Sequence, residues 1–241
     1  MNFLEIQGIS KSFRGLKAVA NASFEVPRGA IVALIGPNGA GKTTCFNVIA
    51  GVFAPDSGKV IFKEKKIQGF RPDQVCAAGI GRTFQIVKPF AGLSVLDNVI
   101  VGALQRERSV SSARVFSLSL LTKLKLDAKK DLPASSLTLP DRKRLEVARA
   151  LATRPALLLL DEAMAGLRPT ECDEMVGVFR DLNRADGLTI LLIEHVMRAV
   201  MALAQKVVVL HHGEIIASGT PAEVVRDPAV LECYLGEETE V

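Results

Sequence analysis

The residues best suited to chemistry form one short stretch, Gly36-Pro37-Asn38-Gly39-Ala40-Gly41-Lys42-Thr43, with a second threonine at Thr44. It fits the pattern G-x-x-x-x-G-K-[ST]. Glycines at these positions let the backbone curl so that successive N–H groups point at phosphate oxygens. A helix opening at Lys42 adds free N–H donors and the positive end of its dipole. Lys42 suits the charge of a β- or γ-phosphate, and the Thr43 hydroxyl suits the shell of a magnesium ion. A second constellation is Leu157-Leu158-Leu159-Leu160-Asp161-Glu162, an apolar run that ends in two carboxylates. The acids then emerge at the carboxyl end of a buried strand, where α/β sheets bind ligands. Asp161 is placed to hold magnesium through its water shell, and Glu162 to orient and deprotonate an attacking water. His195 follows another apolar run, Thr189 to Ile193. A neutral imidazole there suits a hydrogen bond to the terminal phosphate or to its attacking water.

These groups need a scaffold, and the apolar patterning predicts one. Strands are expected at 3–7, 22–26 and 30–35, then a helix from about Lys42 to Gly51 and a strand at 59–62. Between about 86 and 136 the spacing turns helical, at 93–104 and 115–126. A helix over about 140–153 precedes a strand at 156–160. A helix at 170–184, a strand at 188–193, a hairpin across His212-Gly213 and a short terminal helical region complete the chain. Strands alternating with helices imply an α/β fold with a largely parallel central sheet and antiparallel additions.

Composition narrows the function classes. The 241 residues suit one large α/β domain with an insert, and 23% charged residues with a net charge of +4 are ordinary for a globular chain. No Trp and a single Tyr leave little stacking surface for single-stranded nucleic acid. Cys45, Cys76, Cys172 and Cys233 lie far apart with no C-x-x-C, which points away from a zinc site or disulfide framework and toward a reducing compartment. The N-terminal segment alternates apolar and polar residues, unlike a signal peptide, and no run approaches the ~18 apolar residues of a membrane span. Any membrane role therefore falls to a partner.

Taken together, these motifs resemble the ABC ATPase family over essentially the whole chain. The resemblance implies a P-loop core over 1–85 and 137–241, with N-terminal antiparallel strands and a helical subdomain over 86–136. Gly81-Arg82-Thr83-Phe84-Gln85 is similar to the Q-loop, which implies that Gln85 senses magnesium and the γ-phosphate and relays to a transmembrane partner. Phe13 takes the place of the aromatic that stacks on adenine, where the family more often has Tyr; core packing is the alternative reading. The implied cofactors are ATP and Mg2+. The implied partners are transmembrane permease subunits, a second ATPase subunit, identical or different, and indirectly a substrate-binding protein, with no nucleic acid. The chain would then work at the cytoplasmic face of the cell membrane, with Phe90, Leu93 and Val95 expected to meet the permease; packing in the subdomain core is the alternative reading for each of them.

The sequence also departs from the family. The usual L-S-G-G-Q signature reads Leu137-Thr138-Leu139-Pro140-Asp141, so both glycines are gone and Pro140 has no N–H to offer a phosphate. A capping box, Thr138-x-x-Asp141, is the alternative reading. Ala163 and Arg168 likewise replace the family's usual Pro and Asp. Stretches 81–99, 145–171, 192–224 and 231–238 resemble the ATPase subunits of branched-chain amino-acid importers, whose relatives move urea, short amides or lipopolysaccharide. Two further readings are an ABC ATPase acting on DNA or ribosomes and a nucleotide-dependent scaffold that does not hydrolyse ATP. One ATP site without sustained heptads weighs against the first; intact Lys42, Asp161, Glu162 and His195 weigh against the second.

Overall fold

The computed structural model describes residues 2–84 and 88–235, which fall into two compact units, Met1–Ala78 with Thr189–Val241 and Gly79–Leu188. The first unit opens with β1 (Asn2–Phe13), β2 (Leu16–Pro27), β3 (Ile31–Ile35), α1 (Lys42–Ile49), β4 (Ser57–Phe62), the short β5 (Lys65–Lys66) and α2 (Pro72–Ala78). The second unit holds β6 (Ile80–Arg82), α3 (Val95–Ala103), α4 (Val110–Lys123), α5 (Leu139–Ala152), β7 (Leu157–Asp161) and α6 (Pro169–Asp186). The chain then re-enters the first unit through β8 (Thr189–Ile193), α7 (Met197–Leu203), β9 (Lys206–His211), β10 (Glu214–Gly219), α8 (Pro221–Val224) and α9 (Pro228–Leu235).

Two sheets build the first unit. In one, β3 lies between β8 and β9 and runs parallel to both, while β10 returns antiparallel beside β9. Every residue of β3 and β8 is buried, as continuous apolar strands covered on both faces require. The other sheet has the order β2-β1-β4-β5 and is antiparallel throughout. Its β2 alternates buried and exposed residues from Ala22 onward, so one face is covered and the other open. Here the strands run longer than the sequence pattern suggests. Gly8, with a φ of 58°, sits in an irregularity between the Ile6 and Ile9 pairings, where its N–H donates to Ser23 Oγ over 2.8 Å. The pairing slips and resumes, carrying β1 on to Phe13. The hairpin closes at Arg14-Gly15, both at positive φ, the geometry that matches strand twist.

In the second unit β6 pairs in parallel with β7, Arg82 opposite Leu159. Among the described residues of 88–136 there are two helices, two short 3-10 turns and no strand beyond one isolated bridge. Asn98 of α3 is fully buried and organises the loop before its helix. Its Oδ1 accepts from Phe90 N–H at 2.8 Å, and its Nδ2 donates to the Phe90 and Ser94 carbonyls at 3.1 and 2.9 Å. Phe90 is thereby held with 46% of its surface exposed, whereas Val95 is completely buried. The expectation that Val95 offers itself to a partner is therefore corrected: it packs in the core under the first turn of α3.

Candidate nucleotide site

The glycine-rich loop joins the buried end of β3 to α1, and backbone contacts set its curve. Gly36 has a φ of 147°, and a Cβ there would lie 1.9 Å from the Leu210 carbonyl oxygen. Gly41 has a φ of 104°, and its Cβ would lie 2.1 Å from the Ala18 oxygen. Ala40 O accepts from Gly213 N–H at 2.9 Å, so the β9–β10 turn braces the loop from behind. Leu210, Gly213 and Ala18 are thus part of the loop's mould. No side chain caps α1, whose first turn also holds no acid, so its N-terminus favours an anion. Lys42 is buried to 6% exposure, and its ammonium donates to the Gly36 and Pro37 carbonyls at 2.7 Å each, drawing the loop into a ring. Pro37 and Ala40 face inward, while Asn38, Gly39 and Thr43 are exposed and Thr44 is half-buried.

Phe13 stands at the tip of the β1–β2 hairpin, 39% exposed, edge-on to Phe53 with ring centroids 5.1 Å apart. The Lys11 ammonium also lies over the ring, 5.7 Å from its centroid, and with this much surface exposed the core-packing alternative does not describe Phe13. His195 lies two residues past the end of β8 and is exposed.

The second unit carries the paired acids. Asp161 ends β7 at 1% exposure, and Arg82 donates from its guanidinium to Asp161 Oδ2 at 2.9 Å. The Asp161 N–H donates to Thr83 Oγ at 3.1 Å, which pins the strand end. Burial pushes the Asp161 carboxyl above its ordinary range, although the Arg82 hydrogen bond and charge pull the other way. Asp161 Oδ1 is buried and accepts no hydrogen bond. A carboxylate oxygen without a hydrogen-bond partner at a strand end fits an ion that keeps its waters and completes its shell with phosphates. No cluster of three or more metal-ligating side chains occurs among the described residues, so a protein-only cage for such an ion is not built there. Glu162 has a φ of 49°, the left-handed region that a non-glycine residue adopts only under constraint. The constraint is partly visible: Lys143 Nζ of α5 donates to the Glu162 carbonyl at 2.7 Å.

Arg82 and Lys143 escaped the sequence reading. The available signal was a basic residue beside Gly81 and Thr83 in a short stretch between Ile80 and Phe84, and another on the inward face of a helix. Gln85 lies outside the described residues.

The altered signature begins α5. Thr138 is the N-cap residue and Pro140 falls in the first turn, as the sequence suggests, but the reciprocal capping box is corrected. The Thr138 side chain caps no backbone N–H; its hydroxyl donates instead to Asp141 Oδ2 at 2.7 Å. The same oxygen accepts from Lys129, and Arg144 lies 4.0 Å from Oδ1. Asp141 is buried, which opposes its ionisation, yet Lys129, Thr138 and Arg144 outweigh this and hold its carboxyl below the ordinary range. Arg168, at the start of α6, pairs its guanidinium with Glu171.

Comparison with known proteins agrees with this geometry. Residues 19–165 match the ABC transporter family model, and residues 214–240 match the model of the branched-chain amino acid ATP-binding cassette transporter. The chain is 37% identical to the high-affinity branched-chain amino acid transport ATP-binding protein LivG of Salmonella typhimurium, covering 97% of this chain and 98% of that one. It is 34% identical to the lipopolysaccharide export system ATP-binding protein LptB of Acidithiobacillus ferridurans, covering 99% and 98%. A crystal structure of an ATP-binding cassette of an ABC transporter in its ADP conformation superposes with a TM-score of 0.89 at 32% identity, covering 98% of this chain and 99% of that one. The phosphate loop, the acid-tipped strand and these full-length likenesses converge: the chain belongs to the ABC transporter family, as an ATP-binding subunit homologous to the branched-chain amino-acid transporter ATPases.

Proposed function

We propose that the chain hydrolyses ATP to power import of branched-chain amino acids, acting from the cytoplasmic face of a membrane through permease subunits. The observation that carries this reading is the ring formed by Gly36 to Lys42, with Lys42 buried inside it and an uncapped helix behind. In the reaction the loop N–H groups and Lys42 hold the β- and γ-phosphates, and Phe13 stacks on the adenine. Glu162 orients a water and takes its proton as the water oxygen bonds to the γ-phosphorus and the bond to the ADP oxygen breaks. His195 hydrogen-bonds the γ-phosphate or that water, and Gln85 reports the state of the site to the permease. Thr43, Asp161 and Gln85 are the residues that would hold Mg2+, which when bound neutralises phosphate charge.

In this reading two ATPase subunits meet head to tail, each phosphate loop facing the other's signature helix, and stretch 86–136 serves as the helical subdomain that contacts the permease. No helix among the described residues is long and apolar enough to cross a membrane, so the membrane passage belongs to those partners. The match of residues 214–240 to the branched-chain model favours that cargo over lipopolysaccharide. The test pairs two variants. Glu162→Gln should keep ATP affinity and lose phosphate release, whereas Lys42→Ala should lose nucleotide binding itself. Wild-type hydrolysis in Glu162→Gln removes that residue from the role. Amino-acid uptake by vesicles holding the co-purified permease decides the cargo.

A further inference from the structure

The Asp161 carboxylate has two unlike oxygens. Oδ2 receives the Arg82 guanidinium at 2.9 Å, while Oδ1, equally buried, accepts nothing. The contact does not arise from chain proximity, since the residues are 79 apart and meet because β6 pairs with β7. Arg82 is itself held: its side chain is 11% exposed, and its guanidinium lies 5.4 Å from the Phe84 ring centroid, within cation–π range. Thr83, between them, accepts the Asp161 N–H and so fixes the backbone from which the carboxylate projects. One backbone anchor and one side-chain anchor together set the torsion of a short side chain.

We infer that Arg82 is a positioning residue for magnesium-dependent nucleotide binding, clamping Oδ2 of Asp161 so that Oδ1 alone is turned toward the ion's water shell. This rests on the reading of Asp161 as the magnesium-side carboxylate. A carboxylate that loses this partner is free to turn about its side-chain torsions, and turning removes a fixed acceptor. Arginine suits the task because its planar fork stays charged and keeps its orientation on the aromatic ring beneath it. Lysine could supply the charge but not the fork, so it should restore part of the effect.

The experiment measures binding of a fluorescent, non-hydrolysable ATP analogue to the full chain, in excess Mg2+ and in excess EDTA. The ratio of the two affinities isolates the magnesium-dependent part, and binding in EDTA reports an intact loop. Arg82→Met should lower that ratio about tenfold or more, the size expected for loss of a charge-assisted hydrogen bond. Its affinity in EDTA should be unchanged, and Arg82→Lys should recover part of the ratio. In an Asp161→Asn background the Arg82 change should have no further effect, because it acts through that carboxylate. If Asp161→Asn lowers the ratio and Arg82→Met does not, Arg82 is only a structural ion pair and the proposal fails while the reading of Asp161 stands. Equal losses with and without magnesium also overturn it. If Asp161→Asn leaves the ratio unchanged, the assignment of Asp161 fails, and the role of Arg82 with it.

Discussion

Three glycines of the phosphate loop lend themselves to a graded test, because the structure separates backbone strain from steric contact. Gly39 has a φ of 79°, and a Cβ there would meet nothing within 4 Å. Gly39→Ala should therefore cost only the left-handed penalty, about 1–2 kcal/mol. Gly36 and Gly41 would bear strain as well, and their Cβ atoms would meet backbone oxygens at 1.9 and 2.1 Å. A backbone oxygen cannot rotate aside as a side chain does. Leu210 and Ala18 lie in strands β9 and β2, so relief requires moving the loop itself. Overpacking of this kind adds roughly 1–3 kcal/mol, which brings Gly36→Ala and Gly41→Ala to about 2–5 kcal/mol. For a chain of this length that is a fall in Tm of roughly 4–20 °C, against about 2–8 °C for Gly39→Ala. Urea and thermal unfolding of the nucleotide-free variants measure the difference, and ATP titration should show the larger affinity loss in Gly36→Ala and Gly41→Ala. Equal destabilisation by all three would refute the idea that close approach to Leu210 and Ala18 shapes the loop.

Replacing exposed Phe90 or Leu93 by Asp should leave the ATPase folded but abolish co-purification with the permease, while Val95→Asp should unfold the second unit; retained co-purification of the Phe90 and Leu93 variants rejects them as docking residues. The Thr138 hydroxyl is committed to Asp141 and Pro140 lacks an N–H, so this chain's signature should serve a partner's ATP poorly. Losing one such donor costs about 2–4 kcal/mol of transition-state stabilisation, a rate factor of roughly 30 to 1,000. The chain alone should then be a weak ATPase, and in a complex with a different ATPase subunit Glu162→Gln should remove more activity than the equivalent change in the partner; equal losses argue against the asymmetry. Asp141 also predicts a pH dependence. Its carboxyl is held below the ordinary range in the folded chain, so it adds stability above the unfolded carboxylate pKa and loses it as pH falls through the lower folded value. Asp141→Asn should be destabilising at pH 7 by urea unfolding, and the gap from wild type should narrow toward pH 3.

Much of the site was legible in the sequence because its signals are local. The glycines and Lys42 occupy neighbouring positions, and a run such as Leu157 to Leu160 can only be a buried segment, so the acids that follow it must emerge at its end. The hairpin at His212-Gly213 was equally plain, a glycine between two apolar runs, and both residues take positive φ there. Other features depend on which segments meet. β1 reaches Phe13 only because a slip at Gly8 is absorbed by pairing with β2 and β4, and pairing is not encoded in either strand alone. β6 is three residues long and contains a glycine, too short for periodicity, yet it delivers Arg82 to an acid 79 residues away. Whether Phe90 or Val95 faces outward turned on Asn98, a buried amide that holds the Phe90 loop. The Thr138 hydroxyl had two acceptable partners by spacing, and the Lys129 charge beside Asp141 selected one. Sequence alone determined which atoms were suited to phosphate, because that chemistry is carried by residue type and short-range geometry. Only the tertiary structure decided which charges neutralise one another and which apolar side chains remain exposed, because burial and ion pairing are properties of segments brought together from distant parts of the chain.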